Sequence, residues 1–290
     1  MANRWTLGLG TAAVLLTLLV HFWTHPTELL KLAVHYCSPQ LLVTYGPMEP
    51  ATYRAPWNER DPESTPLIQA LSAGCYEVAD QMAADGMTMD EPYRDERIRS
   101  PLHWSIQARD DLAIEWLIKR VTKLDQVDYN GDTPLYESVI FGNRPAFTRL
   151  LTAGAQLRPT HVAFEKSPML QVLVHPDGSW LQSALARVEQ GSLALDSWCP
   201  LVYWLSGDVE RSPESVELLM ARGAQPVCRN GEGILTLEAA AESQSLEVMH
   251  RLLKTHPPLD ETDRNRIDRV LRERNDPDII RLFRGWQAAL

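Results

Sequence analysis

Asp128-Tyr129-Asn130-Gly131-Asp132-Thr133-Pro134-Leu135 is the stretch on which the reading of the chain turns. Asn130-Gly131 is a turn pair, because glycine takes the left-handed backbone that a tight turn needs. Thr133-Pro134 is a helix start. The threonine hydroxyl can cap free N–H groups, and proline suits the first helical position, where its missing N–H costs nothing. An apolar helical pattern then runs to a break at Gly142. A second helix ends at Leu150-Leu151-Thr152-Ala153-Gly154-Ala155, with glycine where a left-handed residue closes a helix.

The same unit recurs in both directions. Ser100-Pro101-Leu102-His103 lies about 33 residues earlier, and Thr65-Pro66-Leu67 about 35 before that. Forward, Ser167-Pro168-Met169-Leu170 follows after about 34 residues and Cys199-Pro200-Leu201 after about 32 more. A sixth copy, Asn230-Gly231-Glu232-Gly233-Ile234-Leu235-Thr236-Leu237, has lost its proline, and a short insertion around Gly207 to Pro213 precedes it. A polar helix pair, Arg264 to Arg274 and Pro277 to Trp286, closes the array as a cap would.

This pattern resembles the ankyrin repeat: D-x-x-G-x-T-P-L-H-x-A-A, a break at Gly, and a second helix ending L-L-x-x-G-A. The resemblance covers roughly three-quarters of the chain. It implies an all-α fold, an ankyrin-repeat solenoid of helix-turn-helix repeats with short β-finger loops. About six repeats are expected over 63–262, with a C-terminal capping helix pair over 263–290. One repeat cannot bury its own apolar face, so stability comes from stacking. Repeats four and five depart from the pattern. Pro176 falls between their helices and Trp204 stands where the family has Ala. The connection Asp85 to Arg99 also departs, with a charged finger through Asp90-Glu91-Pro92-Tyr93-Arg94-Asp95-Glu96.

Ahead of the array, no charged residue interrupts Trp5 to Trp23. At about 1.5 Å per residue the stretch reaches roughly 28 Å, close to the thickness of a bilayer's hydrocarbon layer. Trp5, Phe22 and Trp23 sit at its ends, where amphipathic rings favour the headgroups. The run ends in Val20-His21-Phe22-Trp23, too bulky for signal-peptide cleavage. The expectation is therefore a flank over 1–4, a transmembrane signal-anchor helix over 5–23, and a juxtamembrane helix with a Pro-rich, semi-extended spacer over 24–62. Arg4 before the span places the chain, by a one-charge margin, as a single-pass protein of a bacterial inner membrane with its repeats in the periplasm.

A net charge of −10 argues against nucleic-acid binding, which needs a concentrated basic face. The arginines from Arg264 to Arg274 alternate with acids and read as a solvated helix face. Cys37, Cys75, Cys199 and Cys228 form no CxxC pair and no metal knuckle, and leave room for one bridge in an oxidising compartment. No G-x-S-x-G, H-E-x-x-H, Walker A or G-x-G-x-x-G occurs. His103 sits in the slot that the family uses for structural hydrogen bonding, and Asp110-Asp111 reads as a helix cap. The expectation is a non-enzyme without metal or small-molecule cofactor.

In ankyrin arrays the partner-contacting positions are the finger tips and the outer residues of the first helix. Carried onto the best repeat, these are Tyr129, Asn130, Asp132, Ile140 and Phe141. The preceding repeat supplies Arg97, Arg99 and Gln107, and the following ones Phe164, Lys166, Val174, His175 and Trp198. Aromatic residues with a polar rim suit interface anchors. In the degenerate repeats Phe164, Val174 and Trp198 could equally turn inward as core. The function this implies is a membrane-tethered module that binds a protein partner. One version is an immunity protein neutralising a secreted antibacterial toxin, and another is a tether or chaperone for a periplasmic enzyme. An enzyme would need a buried polar cluster.

Overall fold

The computed structural model describes residues 25–49, 52–54, 65–90, 100–187, 198–206, 209–255 and 258–289. The chain divides into two units, Met1–Ala155 and Gln156–Leu290.

In the first unit the described helices come in four pairs. Pro26–His35 precedes Pro39–Tyr45, and Pro66–Ser72 precedes Tyr76–Ala84. Pro101–Ala108 then precedes Asp111–Ile118, and Pro134–Ile140 precedes Arg144–Ala153. Each first helix opens on a proline. In two of them the threonine before it supplies the cap: Thr65 and Thr133 accept from Ile68 N and Tyr136 N, 3.4 and 3.1 Å away. First helices bury Leu67, Leu71, Leu102, Ile106, Leu135 and Val139, and second helices bury Val78, Met82, Ile114, Leu117, Phe147 and Leu150. Each such side chain contributes roughly 1.5–3 kcal/mol, which is how helices of seven to ten residues persist where isolated ones would melt.

The fingers differ from the expected β form. Among the described residues one isolated bridge occurs, Arg229 to Leu235. Each finger is closed by a backbone bond, Asp128 N to Asp132 O at 2.9 Å or Asn230 N to Ile234 O at 3.1 Å, and a buried side chain reinforces it. The Asp128 carboxylate accepts from the backbone N of Asn130 at 2.8 Å and of Asp132 at 2.9 Å. In the sixth repeat the Asn230 side-chain oxygen accepts from Glu232 N at 3.1 Å and Ile234 N at 2.9 Å. Gly131 and Gly233 carry matching φ of 80° and 78°, so Gly233 rather than Gly231 is the turn glycine of the proline-less repeat. His103 ties its repeat to the next finger. Its Nδ1 meets the Ser100 hydroxyl at 2.8 Å and its Nε2 lies 3.0 Å from the Asp132 carbonyl.

The second unit pairs Pro168–Val174 with Ser179–Leu185, Pro200–Leu205 with Pro213–Ala221, and Thr236–Ser243 with Leu246–Thr255. Glu261–Arg274 and Pro277–Ala288 follow as the polar pair expected from the sequence. The two departures of repeats four and five fit one another. Trp204 is fully buried, and a Cβ on Gly178 would meet its ring at 3.1 Å, so the glycine makes room for the indole. Arg211 stacks on the same ring at 4.1 Å. Its guanidinium donates to the carbonyls of Trp204, His175, Leu173 and Pro176 at 3.0, 3.0, 3.2 and 3.3 Å. The Leu173, His175 and Pro176 carbonyls are those that Pro176 and the end of the helix Pro168–Val174 would otherwise leave open.

Three further corrections concern the membrane helix, the segment 24–62 and the cysteines. The fold class included a transmembrane helix, and the location was a single pass through an inner membrane. Among the described residues no helix is long and apolar enough to cross a membrane. The longest described helix, Glu261–Arg274, has 14 residues, spans roughly 21 Å and is rich in charge, against roughly 30 Å of hydrocarbon. The anchor expected over 5–23 lies outside the described residues. The described fold is therefore an all-α repeat array without a spanning helix, and the inner-membrane placement has no element there to rest on.

The second correction concerns 24–62. Within the stretch expected to be a semi-extended spacer, Pro39 opens the helix Pro39–Tyr45 by taking its first position. The third concerns cysteines. Two disulfides are present, Cys37–Cys75 and Cys199–Cys228, with Cα–Cα distances of 5.0 and 5.7 Å. Each joins neighbouring helix pairs within one unit.

Candidate functional site

In the first unit the finger Asp128–Asp132 and the helix Pro134–Ile140 carry Tyr129, Asn130, Asp132 and Ile140. Every residue from Pro134 to Val139 is buried, and Ile140 alone on that helix faces out, 53% exposed. Tyr129 is 48% exposed at the finger tip. Both are apolar groups held in water by a rigid scaffold, since Asp128 fixes the turn and Thr133 the helix start.

The other expected residues of this unit divide. Asn130 is exposed, but its backbone N–H and side-chain amide both turn back to the Asp128 carboxylate, so it builds the finger. Asp132 is half-buried, and its carbonyl meets His103. Phe141 caps the helix end and is half-buried, its carbonyl accepting from Arg109. Gln107 is exposed near the end of Pro101–Ala108. Arg97 and Arg99 lie outside the described residues.

In the second unit Phe164 and Trp198 come together, 5.6 Å apart and edge to face. Tyr203 completes the group, 5.4 Å from Phe164 and stacked on Trp198 at 6.1 Å. Arg158 lies over the Trp198 ring at 4.7 Å, and burial lowers its pKa. Trp198 is buried, whereas Phe164 and Tyr203 stay half-exposed. Burial raises the Tyr203 pKa first, and the charges of Glu232 and Glu165 raise it further. A cavity of about 380 Å³ opens beside the rings, lined by Arg158, Pro159, Thr160, Val162, Phe164 and Ser167.

Val174 is exposed at the end of its helix, and half-buried Lys166 shares a 3₁₀ turn with Phe164. His175 is occupied structurally. Its Nδ1 accepts from Asp177 N at 3.0 Å, its ring packs on Trp180, and its carbonyl accepts from Arg211.

No protein-family model matches the sequence, and no curated protein matches it either. Among solved structures, the ankyrin repeat domain of Bcl-3, a member of the IkappaB protein family, superimposes with a TM-score of 0.56 at 19% identity. The match covers 78% of this chain and 97% of that one. The chain has the ankyrin-repeat fold. A chain of the complex between the predatory endopeptidase Bd0816 of Bdellovibrio bacteriovorus and immunity protein Bd3460 matches more loosely. Its TM-score is 0.49 at 19% identity, over 66% of this chain and 97% of that one.

Within the ankyrin units, Tyr203 and Arg158 are the site residues that sequence reading missed. Tyr203 stands three residues after Pro200, the register of Trp104 after Pro101, and that alignment could have found it. Arg158 had no such signal, because only the fold lays it on a ring 40 positions away.

Proposed function

We propose that this ankyrin array is a protein-binding module whose partner lies against its finger tips and the outer ends of its first helices. The observation that carries the reading is the pair Tyr129 and Ile140, left about half exposed at the tip of a finger and at the end of a helix whose other residues are all buried. Rigid apolar anchors in water are costly to solubility unless a partner covers them, and aromatic anchors of this type carry interface energy. The test is partner capture by full-length protein carrying Tyr129→Ala and Ile140→Ala, once unchanged melting shows the fold intact. Capture should fall at least tenfold. Capture equal to wild type would remove this face as the site.

In its finer form the reading makes the partner a secreted toxin, with this chain as its immunity protein. Two disulfides support that form, because such bonds persist in the oxidising compartments through which secreted proteins pass. A toxin encoded beside this chain, bound and inhibited by it in purified form, is the expected result. Binding without inhibition would leave a chaperone role instead.

A further inference from the structure

The Phe164–Trp198–Tyr203 group has a sign of charge as well as a shape. Its two half-exposed rings, Phe164 and Tyr203, lie 5.4 Å apart with Trp198 behind them. Arg158 already covers the Trp198 face, so a cation on an aromatic ring is an arrangement this surface uses once internally. Glu165 and Glu232 are exposed and near enough to act electrostatically on the Tyr203 phenol. The platform is held in place: Cys199, bonded to Cys228, follows Trp198 directly and takes a left-handed φ of 54°.

We propose that Phe164 and Tyr203, backed by Trp198 and flanked by Glu165 and Glu232, receive an arginine or lysine side chain from a basic segment of the protein partner. The methylene stem lies on the rings and the charged head meets the carboxylates. This rests on the protein-binding reading and specifies the chemistry of the partner. A net charge of −10 draws the same kind of segment from a distance.

The probe is a fluorescein-labelled hepta-arginine peptide, titrated against the full-length protein by fluorescence anisotropy. An acidic chain attracts such a peptide everywhere, so the comparison is between variants of equal charge. Glu165→Gln with Glu232→Gln should weaken binding about tenfold. Glu210→Gln with Glu273→Gln, at exposed positions elsewhere in the unit, should change it by less than about twofold. Phe164→Leu with Tyr203→Leu removes the rings at constant charge and should also cost about tenfold. Equal weakening by both glutamine pairs, or no weakening by the leucine pair, overturns the proposal. Partner capture lost in the Tyr129→Ala, Ile140→Ala protein but kept in the leucine pair also overturns it, while the broader binding reading stands.

Discussion

The Asn143 side-chain amide donates to the carbonyl of Ile106, 3.1 Å away and 37 residues earlier in the chain. The same side chain caps its own helix, its oxygen accepting from Ala146 N at 3.1 Å. Gln244 repeats half of the arrangement in the second unit, donating to Leu205 O at 3.0 Å. One polar residue at the start of a second helix thus ties down the first helix of the preceding repeat, and at Ile106 it joins the Arg109 backbone N–H, 3.2 Å away, on the same carbonyl. Asn143→Ala should destabilise the protein by about 2 kcal/mol, from a lost cap and a lost hydrogen bond between repeats together. Asn143→Ser keeps a capping oxygen and loses the amide donor, so it should cost less. Equilibrium urea unfolding orders the two variants, and an alanine as stable as wild type would refute the assignment.

Arg211 carries the corresponding burden in repeats four and five. It is buried, stacked on Trp204 and spread over four carbonyls, with burial lowering its pKa. Arg211→Lys keeps the charge but offers a point donor instead of a planar fork. It should still cost about 3 kcal/mol, because most of those carbonyls lose their partner at once. Full stability in the lysine variant would mean that charge, not the fork, matters here.

The disulfides join residues separated by 38 and 29 positions. On the chain-entropy account each stabilises the fold by roughly 3.5–4 kcal/mol. Melting with and without reductant should show a fall of several degrees, and the Cys75→Ser variant should lose its share of the reductant effect. A melting curve indifferent to reductant would contradict the bridges.

The repeat was legible because its signals are local. Thr133-Pro134, Ser100-Pro101 and Gly154 act on their own turns of backbone, and the period multiplies them. The helix Pro39–Tyr45 was missed for a related reason: proline density reads as a breaker, yet a proline in first position starts a helix. The β form of the fingers was expected from the family, while these turns close on a single backbone pair each, reinforced by the Asp128 and Asn230 side chains. At the candidate site, Tyr129 and Ile140 could be placed from the register alone. His175 could not be told from a surface residue, because Arg211, Trp180 and Asp177 reach it only in three dimensions.

The central claim is that a protein partner covers the finger and first-helix face, and site-specific photocrosslinking tests it most directly. A photoreactive phenylalanine would be placed at position 129, 140 or 112 of the full-length chain. Leu112 is 65% exposed but belongs to the second helix Asp111–Ile118. The account predicts one crosslinked partner, shared by positions 129 and 140 and absent at 112. The same partner caught at 112 and missed at both other positions would contradict it.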